Sequence, residues 1–207
     1  MKKLFILFIL TFTTLFAFAE HTLNFSIIGA SGSIPHNIDN EKYDGSKSYL
    51  GLSSEYVYFM KNGFSFGGNF TFYPVQTFSI SPNESTIIEL KRNSLGDGFS
   101  FSPVVGWTYK REVFYLQLLA HPIIIESITY DTHNITIGNT KSKNIYKDIT
   151  SNYLKTGVSS SFEWGWKHFR LGFGVGLNVI FDYDFNEERQ SESGTEVYAC
   201  AKTSVLF

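Results

Sequence analysis

The run Phe64-Ser65-Phe66-Gly67-Gly68-Asn69-Phe70-Thr71-Phe72-Tyr73 decides the fold. Drawn out as an extended chain, one side carries Phe64, Phe66, Gly68, Phe70 and Phe72, and the other carries Ser65, Gly67, Asn69, Thr71 and Tyr73. Side chains alternate across a strand with a period of two, whereas a helix would scatter these phenylalanines around its axis. The same alternation runs over 169–183, where Phe169, Leu171, Phe173, Val175, Leu177, Val179 and Phe181 oppose Arg170, Gly172, Gly174, Gly176, Asn178, Ile180 and Asp182. It returns over 99–109, with Phe99, Phe101, Pro103, Val105, Trp107 and Tyr109 on the bulky side. Weaker versions cover 23–30, 49–60, 113–125, 153–166 and 197–207, which predicts eight strands.

The connections alternate in length. Lys61-Asn62-Gly63, Lys110-Arg111-Glu112 and Lys167-His168 read as tight hairpin turns, while 31–48, 75–98, 126–152 and 184–194 read as long polar loops. Tight turns at one end of a meander and long loops at the other are the pattern of a barrel whose two ends face different compartments.

Composition excludes several classes. The 207-residue chain has a formal charge of −2, and no stretch clusters basic residues with aromatics, so nucleic acid is not an expected partner. Its single cysteine, Cys200, forms no disulfide framework. With 43% hydrophobic residues and 21 phenylalanines, the chain must bury apolar surface or give it to lipid. At the start, Lys2 and Lys3 precede an uncharged, mostly apolar run over 4–18, and Ala17-Phe18-Ala19 places small residues where a signal peptidase cuts. This predicts a secretory signal peptide over 1–19 and a barrel domain over 20–207, since the run is too short to span a bilayer.

The two faces of the predicted strands distinguish a membrane barrel from a soluble one. The small face is mostly Gly, Ser, Asn and Thr, which suits the crowded interior of a narrow barrel, and the opposite face is bulky and aromatic. Tyr56, Tyr58, Trp107, Tyr109, Trp164 and Trp166 all lie beside the short turns, as an interfacial aromatic girdle would. The fold expected is all-β: an eight-stranded antiparallel up-and-down transmembrane β-barrel.

The leader, the eight amphipathic strands, the alternating turns and loops, and the ending Val205-Leu206-Phe207 resemble the small outer-membrane β-barrels of diderm bacteria, the OmpA-barrel, OmpX, OmpW and opacity-protein group. The resemblance implies a bacterial outer-membrane location, with both termini periplasmic and four loops outside the cell. It implies contact with outer-membrane lipid and lipopolysaccharide, and recognition of the terminal Phe207 by the barrel assembly machinery. It also implies a structural or adhesive role exercised on an extracellular ligand through the loops. The alternatives it leaves are a narrow channel for small or hydrophobic solutes, as in the OmpW group, and a lipid A-modifying enzyme.

If the aromatic face meets lipid, the inward positions include Glu55, His121, Lys155, Glu163, Arg170 and Lys202, a charge network that either plugs the lumen or gates it. Buried charges of mixed sign should pair, Glu163 with Arg170 near the turn at 167–168 and Glu55 with Lys202 across the lumen. For catalysis, His121 is the one histidine on a strand of the predicted barrel, with Glu126 and Ser127 five and six residues on; Ser127 shares its parity, but no serine is expected within the ~3 Å of the imidazole that activation requires. No HxH or HExxH spacing occurs, so no catalytic residue, metal or cofactor is expected. In the loops, Asp182, Asp184, Glu187, Glu188, Glu192 and Glu196 make an acidic stretch, and Lys141, Lys143 and Lys147 make a sparse basic one. N-terminal sequencing of the exported protein tests the leader: the mature chain should begin at Glu20, and a chain retaining residues 1–19 would contradict the prediction.

Overall fold

The computed structural model describes residues 20–38, 41–83, 86–92, 98–130, 132–137, 140–144, 149–166, 168–185, 188–190 and 193–207. The expected leader 1–19, Lys147, Glu187 and Glu192 lie outside them. Among the described residues the strands in chain order are β1 (Glu20–Ile38), β2 (Glu41–Phe59), β3 (Phe64–Asn83), β4 (Thr86–Arg92), β5 (Gly98–Lys110), β6 (Phe114–Tyr130), β7 (Thr132–Ile137), β8 (Thr140–Asn144), β9 (Ile149–Gly165), β10 (Phe169–Phe185), β11 (Glu188–Gln190) and β12 (Gly194–Leu206).

Eight of them, β1, β2, β3, β5, β6, β9, β10 and β12, pair antiparallel in a ring. Closure is made by β12 on β1, in register from Thr22↔Leu206 to Ser33↔Thr195. Closing the sheet removes its edges, which is what allows a β-structure to stand in hydrocarbon with every backbone group paired inside the protein. The tight turns between β2 and β3 and between β5 and β6 fall where expected, and Lys167 of the third lies outside the described residues. At the first of them Gly63 has φ +90, and the indole of Trp107 lies where its side chain would be, so only glycine fits.

The period-two faces are those read from the sequence. Phe99, Phe101, Pro103, Val105, Trp107 and Tyr109 point out of the ring, and Ser100, Ser102, Val104 and Thr108 point into it. Phe173 is 64% exposed and Leu118 61%, within an outer surface that also shows Phe25, Ile27, Phe70, Phe101, Ile125, Leu171 and Val175. A soluble monomer does not present an apolar belt of this extent, but a bilayer requires one. At the turn end Tyr56, Trp107, Tyr109, Trp164 and Trp166 are exposed, forming the girdle. Tyr58 corrects the expectation. It is 1% exposed, with its ring packed on His21 at 5.1 Å and Phe66 at 4.7 Å, so it is covered by neighbours instead of meeting the interface.

The long connections depart from the expected loops. Much of 31–48, 75–98 and 126–152 is strand: β1 and β2 pair as far as Ile38↔Glu41, and β4 is inserted between the end of β3 and β7, which also pairs β8. Beyond the apolar belt the outer face of a strand is polar while its buried inner face mixes apolar residues such as Ile34 and Phe78 with Lys47 and Gln76, so the apolar–polar alternation that marks a strand in lipid disappears from the sequence. Ladder irregularities also went unread. One extra residue at Tyr73-Pro74 on β3, one at Pro122-Ile123 on β6 and one at Phe181 on β10 shift the face parity of everything above them. Replacing lipid-facing Phe70, 48% exposed, with Arg should cost about 2–4 kcal/mol of folding free energy in bilayers if the position is near the midplane. Urea titration in vesicles measures this, and an unchanged midpoint would mean the face assignment is wrong.

Candidate functional site in the barrel lumen

The lumen is stratified, and β2 samples every layer: from the turn end upward its inward residues are Phe59, Val57, Glu55, Ser53, Tyr49 and Lys47. Closing the turn end are two apolar clusters, Phe59 with Tyr115 and Leu206, and Val57 with Val104 and Leu119. The outer end is filled by Ile34, Phe78, Ile80, Ile128, Tyr130, Tyr153 and Ile180. Two ionic layers lie within this filling.

The inner ionic layer is centred on Lys202. Its Nζ lies 3.1 Å from Glu55 Oε1 and 3.0 Å from Glu163 Oε1, and it donates to Gln117 Oε1 at 2.7 Å. Asn24 Nδ2 donates to Glu55 at 2.9 Å. Glu55 and Lys202 therefore meet across the lumen as expected. Glu163 does not pair with Arg170. The guanidinium instead lies over the Tyr115 ring, 3.5 Å from its centre, and donates to the carbonyls of Trp166 and Glu112, each at 3.4 Å. Stacking on an aromatic face suits a weakly hydrated planar cation, and it leaves Lys202, a point charge with three donors, to hold both carboxylates.

The outer ionic layer is a closed quartet. Lys155 Nζ lies 2.7 Å from Glu126 Oε2 and 2.9 Å from Glu196 Oε2; Lys47 pairs with Glu126 and lies 3.2 Å from Glu196 Oε2. Tyr49 and Asn178 donate to the remaining oxygen of Glu196 at 3.1 and 2.8 Å. All four charged side chains are at most 1% exposed. Two cations and two anions leave the layer neutral, which is the condition for keeping charge in a dry interior.

Between the layers lies a cavity of about 70 Å³, lined by Ser26, Ser53, Thr71, Ser100, Ser102, Ser159, Ser161 and His121 among others. His121 bridges three strands: its Nδ1 is 2.9 Å from Ser102 Oγ on β5 and its Nε2 3.0 Å from Ser159 Oγ on β9. This corrects the expectation that no serine approaches the imidazole. Ser127, expected on the same face, is carried to the outer side by the extra residue at Pro122-Ile123, which turns Glu126 inward instead. No carboxylate hydrogen-bonds to His121 among the described residues; both of its nitrogens are held by serine hydroxyls.

Of the six residues expected in the lumen, all are buried there. Three that complete the ionic layers were assigned to loops: Lys47, Glu126 and Glu196. Two had a legible signal, since Lys47 continues the odd-numbered face of Tyr49, Ser53 and Glu55, and Glu196 the even-numbered face of Tyr198, Cys200 and Lys202. Glu126 had none, because the parity break at Pro122 hides it. Phe207, the expected assembly signal, sits exposed at the turn end with its N–H donating to the His21 carbonyl at 3.0 Å.

No family model matches the chain. It is similar to solved structures of Neisserial surface protein A (14% identity, 90% of this chain and 96% of that one, TM-score 0.41) and of Ail, the attachment invasion locus protein of Yersinia pestis, in complex with a heparin analogue (12%, 91% and 99%, TM-score 0.43). It is also similar to the outer membrane protease OmpT from Escherichia coli (7%, 91% and 96%, TM-score 0.47). These are outer-membrane barrels of differing roles, and the likeness assigns none of them to this chain.

Lys202→Met leaves Glu55 and Glu163 buried without a cation and should cost about 3–5 kcal/mol. Urea unfolding in vesicles measures it, and a loss below about 1 kcal/mol would show that the inner layer is hydrated and not sealed.

Proposed function

We propose that the protein is an integral protein of the bacterial outer membrane that is closed along its axis and acts through the strand extensions beyond its apolar belt, as a structural or ligand-binding surface protein. The observation that carries this reading is the double ionic seal. A ring of eight strands leaves room only for side chains, and here two neutral ionic layers and two apolar clusters occupy that room. By contrast, β1–β2 and β3–β4–β7–β8 continue as paired sheet above the belt, an ordered wall suited to recognition. On this reading the tight turns and both chain ends face the periplasm. The β7 and β8 extensions meet phosphate-bearing lipopolysaccharide or a ligand outside the cell, and Phe207 is presented to the assembly machinery. The protein carries out no chemistry in this role.

A narrow solute channel is the second reading, favoured by the polar cavity between the ionic layers. Single-channel recording on the refolded barrel separates the two. A folded barrel, shown by its heat-modifiable gel shift, should be electrically silent in planar bilayers. Steady conductance that changes when Glu55 or Lys155 is neutralised would replace the binding reading with the channel.

A further inference from the structure

The turn-end rim of the barrel carries a notch. The ladder between β3 and β5 ends at Phe64↔Trp107, but β5 runs on to Lys110 with, among the described residues, β6 as its ladder partner there, from Thr108↔Gln117 to Lys110↔Tyr115. Between this overhang and the 61–63 turn lies a cavity of about 410 Å³, lined by Glu20, Lys61, Asn62, Trp107, Tyr109 and Lys110 among others. Its walls are set by backbone bonds. Gly63 N–H donates to the Met60 carbonyl at 2.8 Å, Thr108 N–H to the Gly63 carbonyl at 2.7 Å and Phe64 N–H to Asn62 Oδ1 at 3.1 Å, so the turn is closed on itself and tied to β5.

Depth and charge narrow what this cavity takes. Trp107 and Tyr109, 50% and 45% exposed, belong to the girdle, which stands where lipid headgroups meet the apolar belt. Along the same two strands the outward pair Phe66↔Val105 follows Phe64↔Trp107, an apolar track leading from the notch into the belt. Two ammonium groups and one carboxylate line the cavity. Lys110 pairs with Glu20, whose carboxylate also accepts from the Tyr115 hydroxyl at 3.2 Å, so the charge in excess is that of Lys61. Arg111 does not add to it. Its Nε donates to the Tyr109 hydroxyl at 2.6 Å and its guanidinium lies 5.4 Å from the centre of that ring, outside the lining.

We propose that the notch is a binding site for an anionic glycerophospholipid of the phosphatidylglycerol type, its phosphodiester held by Lys61 and Lys110 and its chains lying on the Phe64–Trp107 track. A phosphodiester carries one negative charge and balances the one positive charge in excess on the lining. A phosphoethanolamine headgroup brings its own ammonium and leaves that charge uncompensated. Size agrees: about 410 Å³ holds a phosphate and a three-carbon polyol, given roughly 30 Å³ per water in the liquid. The polyol hydroxyls are donors matched to the Glu20 carboxylate, and ammonium to phosphate is a charge-assisted contact. This site is independent of any role of the outer sheet and of whether the lumen conducts.

Native mass spectrometry tests this on the folded protein, released from micelles doped with equal amounts of phosphatidylglycerol and phosphatidylethanolamine carrying the same acyl chains. Phosphatidylglycerol should be retained over phosphatidylethanolamine by about threefold or more, the scale of one partly exposed charge contact. Lys61→Gln should remove that preference, and Lys61→Arg should keep it. Arg111→Gln, which neutralises the neighbouring cation outside the cavity, should leave retention unchanged, whereas Glu20→Gln, which releases Lys110 from its partner, should raise it. Each variant is scored only in preparations that show the heat-modifiable gel shift. The proposal is overturned if the two lipids are retained alike, if Lys61→Gln has no effect, if Arg111→Gln lowers retention as much as Lys61→Gln does, or if Glu20→Gln weakens it.

Discussion

Neutralisation of buried charge governs this molecule. Three lysines, an arginine and four glutamates point into a ring too narrow to hydrate them freely, and an unpaired ion in that interior would cost more than a small barrel can tolerate. The solution is two separate layers of zero net charge: Lys47, Lys155, Glu126 and Glu196 toward the outer end, and Lys202, Arg170, Glu55 and Glu163 toward the turn end. Each layer joins strands that are distant in the chain, so the ionic layers brace the ring across its diameter while the backbone ladder braces it around the circumference. Lys47 and Glu196, for instance, are drawn from opposite ends of the sequence.

The division of labour follows. Lipid sets the outer face, which is apolar through the belt and aromatic at the turn end; the ionic layers set the inner one. Beyond the belt the outer face is released from lipid, and the strands continue as paired sheet over a buried inner cluster that includes Ile34, Phe78 and Ile80. Among the described residues, His121 joins β6 to β5 and β9 through Ser102 and Ser159, beside the register shift between β5 and β6.

How much of this the sequence disclosed depends on which solvent each stretch meets. Where a strand has lipid on one side and a packed lumen on the other, as in Phe64–Tyr73 or Phe99–Tyr109, alternation is complete and both the strand and its faces are legible. The closed ring of eight, the girdle residues other than Tyr58, and the burial of Glu55, His121, Lys155, Glu163, Arg170 and Lys202 all followed from it. Where the outer side is polar and the buried inner side mixes charged with apolar residues, as in the upper parts of β1, β2, β6 and β9, the pattern fades, and the sequence reads as loop at positions such as Lys47. Where one residue is inserted, as at Pro122-Ile123, parity inverts and Glu126 and Ser127 exchange faces. Contacts across the lumen, such as His121 with Ser102 and Ser159, depend on the stagger of the whole ring and leave no local trace.

Lysine acylation most directly tests the central claim, that the lumen is closed by its own ion pairs. The folded protein in vesicles permeable to a small water-soluble acylating reagent should be modified at Lys61 and Lys110, which are exposed at the turn end, while Lys47, Lys155 and Lys202 stay unmodified until the barrel is unfolded. Acylation of Lys47 or Lys155 at a rate comparable to Lys61 in a folded barrel would mean that water occupies the lumen, and the sealed architecture described here would be wrong.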